Sequence, residues 1–395
     1  MSIAKSFSFA IFGLCVSYVP QASAQGSLLP WGQSSDQVGW ETFVQVTAPS
    51  GIPGSANVEF ETWASDEDIY RTSPPKWPTA PSPKRLHPSV LNVVASAMVT
   101  PSASPRVTVE SIAPGTCAPP SNPQAGDFPK EACIGEEVRR NWASFQYIVG
   151  NGLFSKSGLA AAAKNGLIVS LPADSIEVKA DWVKISDLKV WQHNTLNDDQ
   201  IRKLYHVNTV EEQNGKTDYA LVAFHFSTKQ VKNWVWADFE HELNPGRCDD
   251  TGCHDSFGAV MANVPAKNSR SPNGQDLNGN QQYGACAKND VLEKMMVNAQ
   301  IGDVWRHYCL KGSQITFVNA DGSPTLLGNS VIERIAADIP IPKSSCQTCH
   351  AYAAFDKTGA AGGFPDNAIG AFDPKVLEKA GMIQNDFIWG VLLAR

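Results

Sequence analysis

Near its C-terminus the chain carries residues whose spacing could hold a metal cofactor, in the run Cys346-Gln347-Thr348-Cys349-His350. Two residues between the cysteines place both sulfurs where they can form thioether bonds to the two vinyl groups of one porphyrin. The imidazole that follows directly would then bind the iron as its proximal ligand. The run therefore predicts one covalently attached haem, linked through Cys346 and Cys349 and ligated by His350.

The first 24 residues have the features of a secretory signal peptide. Lys5 supplies the positive start, an apolar run extends over residues 7–19, and Ala22-Ser23-Ala24 offers a cleavage site. No later stretch reaches the length of a membrane helix. We therefore expect a periplasmic protein with no membrane span in its mature form.

The run at 346–350, set in an exported chain, resembles the haem-attachment site of c-type cytochromes. The resemblance implies that haem c is the cofactor, that Cys346 and Cys349 link it, and that His350 is an axial ligand. It also implies one-electron transfer to or from a periplasmic redox partner protein. The residues themselves leave other uses open for the two thiols: a redox dithiol, a structural disulfide, or a zinc site shared with Cys248 and Cys253.

The sixth iron ligand is left open by the sequence. Met382 is the only methionine after the motif, and a helix over residues 375–381 would deliver it. Among the other histidines, His241 and His254 are the preferred alternatives, and His241 ends an aromatic strand that would suit a distal pocket. The remaining histidines are His87, His193, His206, His225 and His307. An empty sixth position would instead favour a haem-dependent oxidoreductase of the peroxidase or oxygenase type, and no catalytic residue is predicted.

The other cysteines indicate disulfide bonds in an oxidising compartment. Sequence order pairs them as Cys117–Cys133, Cys248–Cys253 and Cys286–Cys309, although six cysteines allow fifteen connectivities. Cys248, Cys253 and His254 also form a C-x₄-C-H run, which could bind a second haem. The turn residues between the two cysteines favour a local disulfide.

Composition limits the class of protein. The chain has 395 residues, 43 % of them hydrophobic, which supports a packed core and excludes a disordered or fibrous protein. Its 39 acidic and 32 basic residues give a net charge of −7, which argues against nucleic acid as the main partner because phosphate binding needs a basic face.

The pattern of apolar residues predicts an α+β fold, with a large β-containing body and a C-terminal segment of short helices. We expect a body with proline-rich connections over residues 25–320 and a haem-binding segment over 321–395. Strands are predicted at 58–63, 168–190, 219–227, 233–242 and 314–318. Helices are predicted at 131–154, 290–299, 330–338 and 375–381.

Overall fold

The computed structural model describes residues 28–79, 128–130, 132–212, 215–266, 286–365 and 368–395. The expected signal peptide, Cys117 and most of the proline-rich connection at 74–129 lie outside these ranges. The fold is mixed α+β, as predicted. No helix in the described ranges is both long enough and apolar enough to span a bilayer.

An antiparallel sheet forms the centre of the molecule. The strands of the described residues are β1 Ala64–Ser65, β2 Ile134–Arg140, β3 Ile176–Lys184, β4 Val207–Glu212, β5 Gly215–Thr228, β6 Val235–His241, β7 Cys253–His254, β8 Asn263–Val264, β9 Tyr308–Gln314, β10 Ala354–Asp356 and β11 Met382–Gln384. In the central sheet they run in the order β1-β2-β3-β5-β6-β9, and β4 pairs with the first half of β5. Two small two-stranded sheets, β7-β8 and β10-β11, lie outside it.

Short helices surround the sheet. The α-helices are α1 Ser35–Thr47, α2 Trp142–Gly150, α3 Lys156–Lys164, α4 Ile185–Trp191, α5 Asp198–Leu204, α6 Asp290–Asn298, α7 Cys346–Ala351 and α8 Lys375–Lys379. Single turns of 3₁₀ or π helix lie at Glu59–Thr62, Glu67–Arg71, Asp303–His307, Ile332–Ala336, Ile341–Lys343 and Trp389–Leu393.

The two faces of the sheet differ in chemistry. One face packs on α1, where Phe43 contacts the rings of Phe224 and Phe239, and it is largely apolar, although β2 adds the buried Glu137–Arg139 pair. The opposite face carries charged residues at alternate positions of β2, β3, β5 and β6, since side chains two residues apart share a face. This polar face is also buried. The residues that cover the polar face must therefore provide partners for its charged side chains and also exclude water.

Part of the C-terminal segment covers the polar face. Cys346 and Phe387 belong to the same apolar cluster as Trp236 of the sheet and Phe145 of α2. The segment thus packs against elements of the preceding body. The predicted division of the chain at residue 320 stays a prediction.

The predicted pair of strands at 219–227 and 233–242 is confirmed, since β5 and β6 pair in antiparallel register. The helix predicted at 290–299 is confirmed as α6. The Cys248–Cys253 and Cys286–Cys309 disulfides are also present, with Cα–Cα distances of 5.0 and 5.5 Å. Cys133 is disulfide-bonded too, although its expected partner lies outside the described residues. The Cys248–Cys253 bond excludes these sulfurs from the zinc site that was considered.

Several predicted elements are wrong in type or position. The helix predicted at 131–154 is confirmed in its second part, as α2, but residues 134–140 form β2 because they pair with β3 along their whole length. The strand region predicted at 168–190 is confirmed in β3, but residues 185–190 belong to α4, whose Leu188 and Trp191 are buried. Residues 59–62 form a 3₁₀ turn rather than a strand, because the Glu61 carboxylate accepts from the backbone N–H of Val58 and closes the turn.

The C-terminal predictions also shift. The strand expected at 314–318 lies at 308–314 instead, where it pairs with β6. The helix expected at 330–338 is a single π turn, whose start is held by the Asn329 side chain accepting from Val331 and Ile332. The helix expected at 375–381 ends at Lys379, and the chain then enters β11.

Candidate functional site

Helix α7 carries the three motif residues against the polar face of the sheet. Ser345 caps the helix by accepting from the Thr348 N–H at 3.3 Å. Gln314, at the end of β9, donates to the Ser345 hydroxyl at 2.7 Å and accepts from the Gln347 N–H at 3.2 Å. The start of α7 is therefore fixed to the end of a central strand.

The two motif cysteines are unpaired thiols. Cys346 is buried and Cys349 half-buried, and neither forms a disulfide, which excludes that use of them in this structure. The Cys346 thiol lies 3.6 Å from the Asp238 carboxylate and 3.6 Å from the Leu327 carbonyl. Burial raises the pKa of Cys346 well above its ordinary value, and burial also raises the pKa of Cys349 to about 12. Both side chains are therefore protonated at neutral pH.

The His350 imidazole is oriented by the backbone. Its Nδ1 donates to the Phe387 carbonyl at 2.8 Å, and its ring lies 4.5 Å from the Trp236 ring, measured between centroids. Burial lowers the pKa of His350 to about 3, so the ring is neutral at physiological pH. With the proton at Nδ1, the Nε2 lone pair is free for a metal.

The turn that presents the Phe387 carbonyl is conformationally unusual. Asp386 and Phe387 have φ angles of 46° and 70°, a region that residues with a side chain rarely adopt. The turn is held in place by Asp386, which accepts from the Leu171 N–H at 2.6 Å and pairs with Lys229. Asn385 adds a bond from its amide to the Ile388 carbonyl. Strain maintained by surrounding contacts is typical of functional positions.

The sheet beneath α7 presents a row of ionisable side chains. Lys179, His225 and Asp238 are register partners on β3, β5 and β6, so they lie side by side across the sheet. His225 Nδ1 is 3.3 Å from Asp238 Oδ1. One ligand atom each from His225, Asp238 and Cys346 lies within 4.8 Å of the others, the one such trio found in the part of the chain that the structure describes.

Further carboxylates border this row. Glu136 and Asp181 are register partners on β2 and β3, and Glu136 pairs with Lys179 at 2.8 Å. Burial, reinforced by Glu136, raises the pKa of Asp181 well above its ordinary value. Burial and the neighbouring Asp238 raise the pKa of Glu333 to about 7. The polar face thus holds more carboxylates than cations, and some of them take up protons near neutral pH.

The two histidines preferred as sixth ligands have both ring nitrogens engaged. His241 stacks on Tyr205, its Nε2 lies 3.1 Å from the Leu204 carbonyl, and its Nδ1 accepts from the Leu243 N–H. His254 Nδ1 lies 2.6 Å from Asn263 Oδ1, and its Nε2 lies 3.4 Å from an Asp36 oxygen. In this arrangement both nitrogens of each imidazole already contact a group of the protein.

Met382, the other predicted ligand, begins β11 opposite Asp356. Its methyl carbon lies next to Gly362, where an added Cβ would approach it to 2.9 Å. The role of Met382 as an iron ligand stays a prediction.

Sequence reasoning gave His225 no preference over the other histidines and assigned no role to Asp238, Asp181 or Glu333. The available signal was the alternation of charged residues in strands whose other alternate positions are aromatic or aliphatic. Comparison of the chain with family models, with curated proteins and with solved structures finds no match.

Proposed function

We propose that this chain is a periplasmic monohaem c-type cytochrome that transfers one electron. The observation that supports this most strongly is the state of helix α7. It holds two unpaired thiols one helical turn apart, followed by an imidazole whose Nδ1 is bound to a carbonyl and whose Nε2 is free.

The residues present fit a haem held by two thioethers. Cys346 and Cys349 would carry it, and His350 would ligate the iron through Nε2. A metal-binding histidine usually donates its other ring proton to a carbonyl or carboxylate, which sets the tautomer and the ring orientation. The Phe387 carbonyl does this for His350, and the contacts of Asp386 keep that carbonyl in place.

A bound haem would supply a one-electron couple, and the surrounding side chains would set its potential. Trp236 and Phe387 pack around His350 and lower the local dielectric. Asp238 and Glu333 add negative charge beside Cys346. Carboxylates near the site favour the oxidised, more positive state and so lower the reduction potential.

The rest of the chain supports the proposed cellular location and partner. The disulfides fit an oxidising compartment such as the periplasm. The net charge of −7 would steer encounter with a basic redox partner.

The experiment that tests the proposal is covalent haem analysis after export from a host with cytochrome maturation machinery. We expect the wild-type protein to retain one haem through denaturing electrophoresis, and its intact mass to include that group. Cys346→Ala/Cys349→Ala should lose it completely. The matched control is Cys248→Ala/Cys253→Ala, which removes a disulfide of the same chain and should keep the haem. Colourless wild-type protein, or a Cys346/Cys349 variant that still carries covalent haem, would refute the proposal.

A further inference from the structure

The imidazole nearest to His350 belongs to His225, in the middle of β5. We propose that His225 is the second axial ligand of the haem and that Asp238 is the residue that positions it. This assignment rests on the proposed function, because it names the group on the other side of the same iron.

The distance between the two imidazoles supports the assignment. The ring centroids of His225 and His350 are 6.1 Å apart, with an interplanar angle of 76°. With a metal–imidazole bond of about 2.0 Å and each nitrogen roughly 1.1 Å from its ring centre, one iron between two imidazoles separates the ring centres by about 6.2 Å. The two rings are thus spaced as a pair of axial ligands, although they come from elements far apart in sequence.

Asp238 lies next to the His225 imidazole. It is the register partner of His225 on β6, and His225 Nδ1 lies 3.3 Å from Asp238 Oδ1, although neither atom makes a hydrogen bond in the described part of the structure. With haem bound, a carboxylate at this position would hold the proton at Nδ1 and leave the Nε2 lone pair for the iron. Across the described residues, no hydrogen bond reaches Nε2 of either His225 or His350.

His350 and His225 each have an acceptor next to Nδ1. A backbone carbonyl from a strained turn bonds to His350 Nδ1, and a buried carboxylate from the neighbouring strand lies 3.3 Å from His225 Nδ1. Both supports lie on firmly held structure, a turn fixed by Asp386 and two paired central strands. Such preorganisation is what a fixed six-coordinate iron requires.

Two other arrangements compete with this one. Met382 could ligate the iron, but its methyl group lies beside Gly362. A bare metal ion could bind His225, Asp238 and Cys346. That second site needs Cys346 as a thiolate, whereas a thioether sulfur has no such charge. The two uses of Cys346 exclude each other, so chemical analysis separates them.

The assignment of His225 as a ligand limits the reactions that a bound haem could support. With imidazoles in both axial positions, the iron has no vacant site for peroxide or dioxygen. One-electron transfer then follows, and the alternative of a peroxidase- or oxygenase-like enzyme does not.

The test is optical and magnetic spectroscopy of the exported full-length protein. We expect low-spin iron in both oxidation states, and ferrous protein that does not bind carbon monoxide on mixing. His225→Ala should become high-spin and bind carbon monoxide, while covalent haem is retained. Added imidazole should restore the low-spin spectrum of His225→Ala, a rescue that a purely structural role would not show. The matched control, Met382→Leu, should leave the spectrum unchanged.

Asp238→Asn provides a second variant that keeps the size of the side chain. Loss of the carboxylate makes the His225 imidazole a weaker donor, so the reduction potential should rise while the iron stays low-spin. An unchanged potential would contradict the positioning role of Asp238.

Failure of the ligand assignment is distinguishable from failure of the proposed function. Three results would overturn the role of His225 alone, provided that the haem is covalently bound. They are high-spin iron in the wild-type protein, ready carbon monoxide binding by the wild-type protein, and loss of the low-spin spectrum in Met382→Leu. Protein that lacks haem overturns both proposals, and a stoichiometric metal ion lost in His225→Ala and Cys346→Ser would then identify the bare-metal site.

Discussion

Arg140, at the end of β2, provides the sharpest test of how the polar face is stabilised. Its guanidinium pairs with Asp66 and with Glu177, the latter at 2.6 Å, and it lies 5.4 Å from the Tyr70 ring centroid. All of these groups are buried. We consider Arg140→Met, which keeps most of the side-chain volume and removes the charge.

The expected loss follows from the burial of the partners. Burial opposes the charge on Arg140, but Glu177 and Asp66 outweigh it and raise the pKa of Arg140. Removing one partner of a buried ion pair costs roughly 3–5 kcal/mol, because the other charge is left uncompensated. Arg140→Met leaves two carboxylates without their cation, so we expect a loss of about 4–5 kcal/mol in the free energy of unfolding.

Urea unfolding at pH 7, followed by tryptophan fluorescence, measures this loss. The matched control is Arg202→Met, because Arg202 pairs with Asp218 at the surface, where the two side chains are 47 % and 30 % exposed. An exposed pair contributes under about 1 kcal/mol. The variant with Arg140→Met, Asp66→Leu and Glu177→Met should regain most of the lost stability, because a buried ion network can be replaced by apolar side chains.

Acid should partly rescue Arg140→Met. Burial already raises the pKa of Glu177 against the attraction of Arg140, and removing the guanidinium raises it further. When the pKa of a carboxyl is higher in the folded protein than in the unfolded chain, the group stabilises the folded protein most at pH values below its unfolded-state pKa. That stabilisation is lost as the pH rises through the folded-state pKa. The deficit should therefore shrink as pH falls from 7 towards 5. A loss similar to that of Arg202→Met, or a deficit independent of pH, would refute the reasoning.

Two further predictions concern the body of the protein. Phe43→Ala should lower the free energy of unfolding by roughly 3–5 kcal/mol, because the Phe43 and Phe239 rings pack in the apolar core with their centroids 4.7 Å apart. The control Val297→Ala, at an exposed position, should change the free energy of unfolding by under about 0.5 kcal/mol. Equal losses in the two variants would contradict the placement of Phe43 in the core. Burial lowers the pKa of Lys288 in the folded protein to about 7. Between pH 7 and the ordinary pKa of lysine in the unfolded chain, the unfolded chain binds more protons than the folded protein, so the free energy of unfolding of the wild type should rise with pH. Denaturant unfolding from pH 7 to 10 should show that rise weakened in Lys288→Met, whereas parallel profiles would show that Lys288 is not the group responsible.

Local sequence was enough for features with a local cause. The haem attachment predicted at Cys346, Cys349 and His350 has a purely local basis, because the reacting groups lie within five residues, and it stays a prediction. The disulfide Cys248–Cys253 closes a turn that its own residues favour. The β5–β6 pair follows from two apolar strands separated by a short polar connection.

Prediction failed where distant partners decide the outcome. The spacing of Val138, Trp142, Phe145 and Val149 predicts a helix over 131–154, yet residues 134–140 form a strand because β3 offers hydrogen bonds along the whole segment. The histidines preferred as ligands illustrate the same limit. His241 is adjacent to aromatic residues in sequence, but Leu204 and Leu243 bind its two nitrogens.

The proposed attachment of a porphyrin thus rests on five consecutive residues, whereas the environment of those residues depends on the register of the sheet. His225 and His350 are separated by more than a hundred residues in sequence and by 6.1 Å between ring centroids. Antiparallel pairing places His225 beside Asp238, and the turn at Phe387 orients His350. Local patterns carry no information on these contacts, because each depends on how remote strands align once the core is packed.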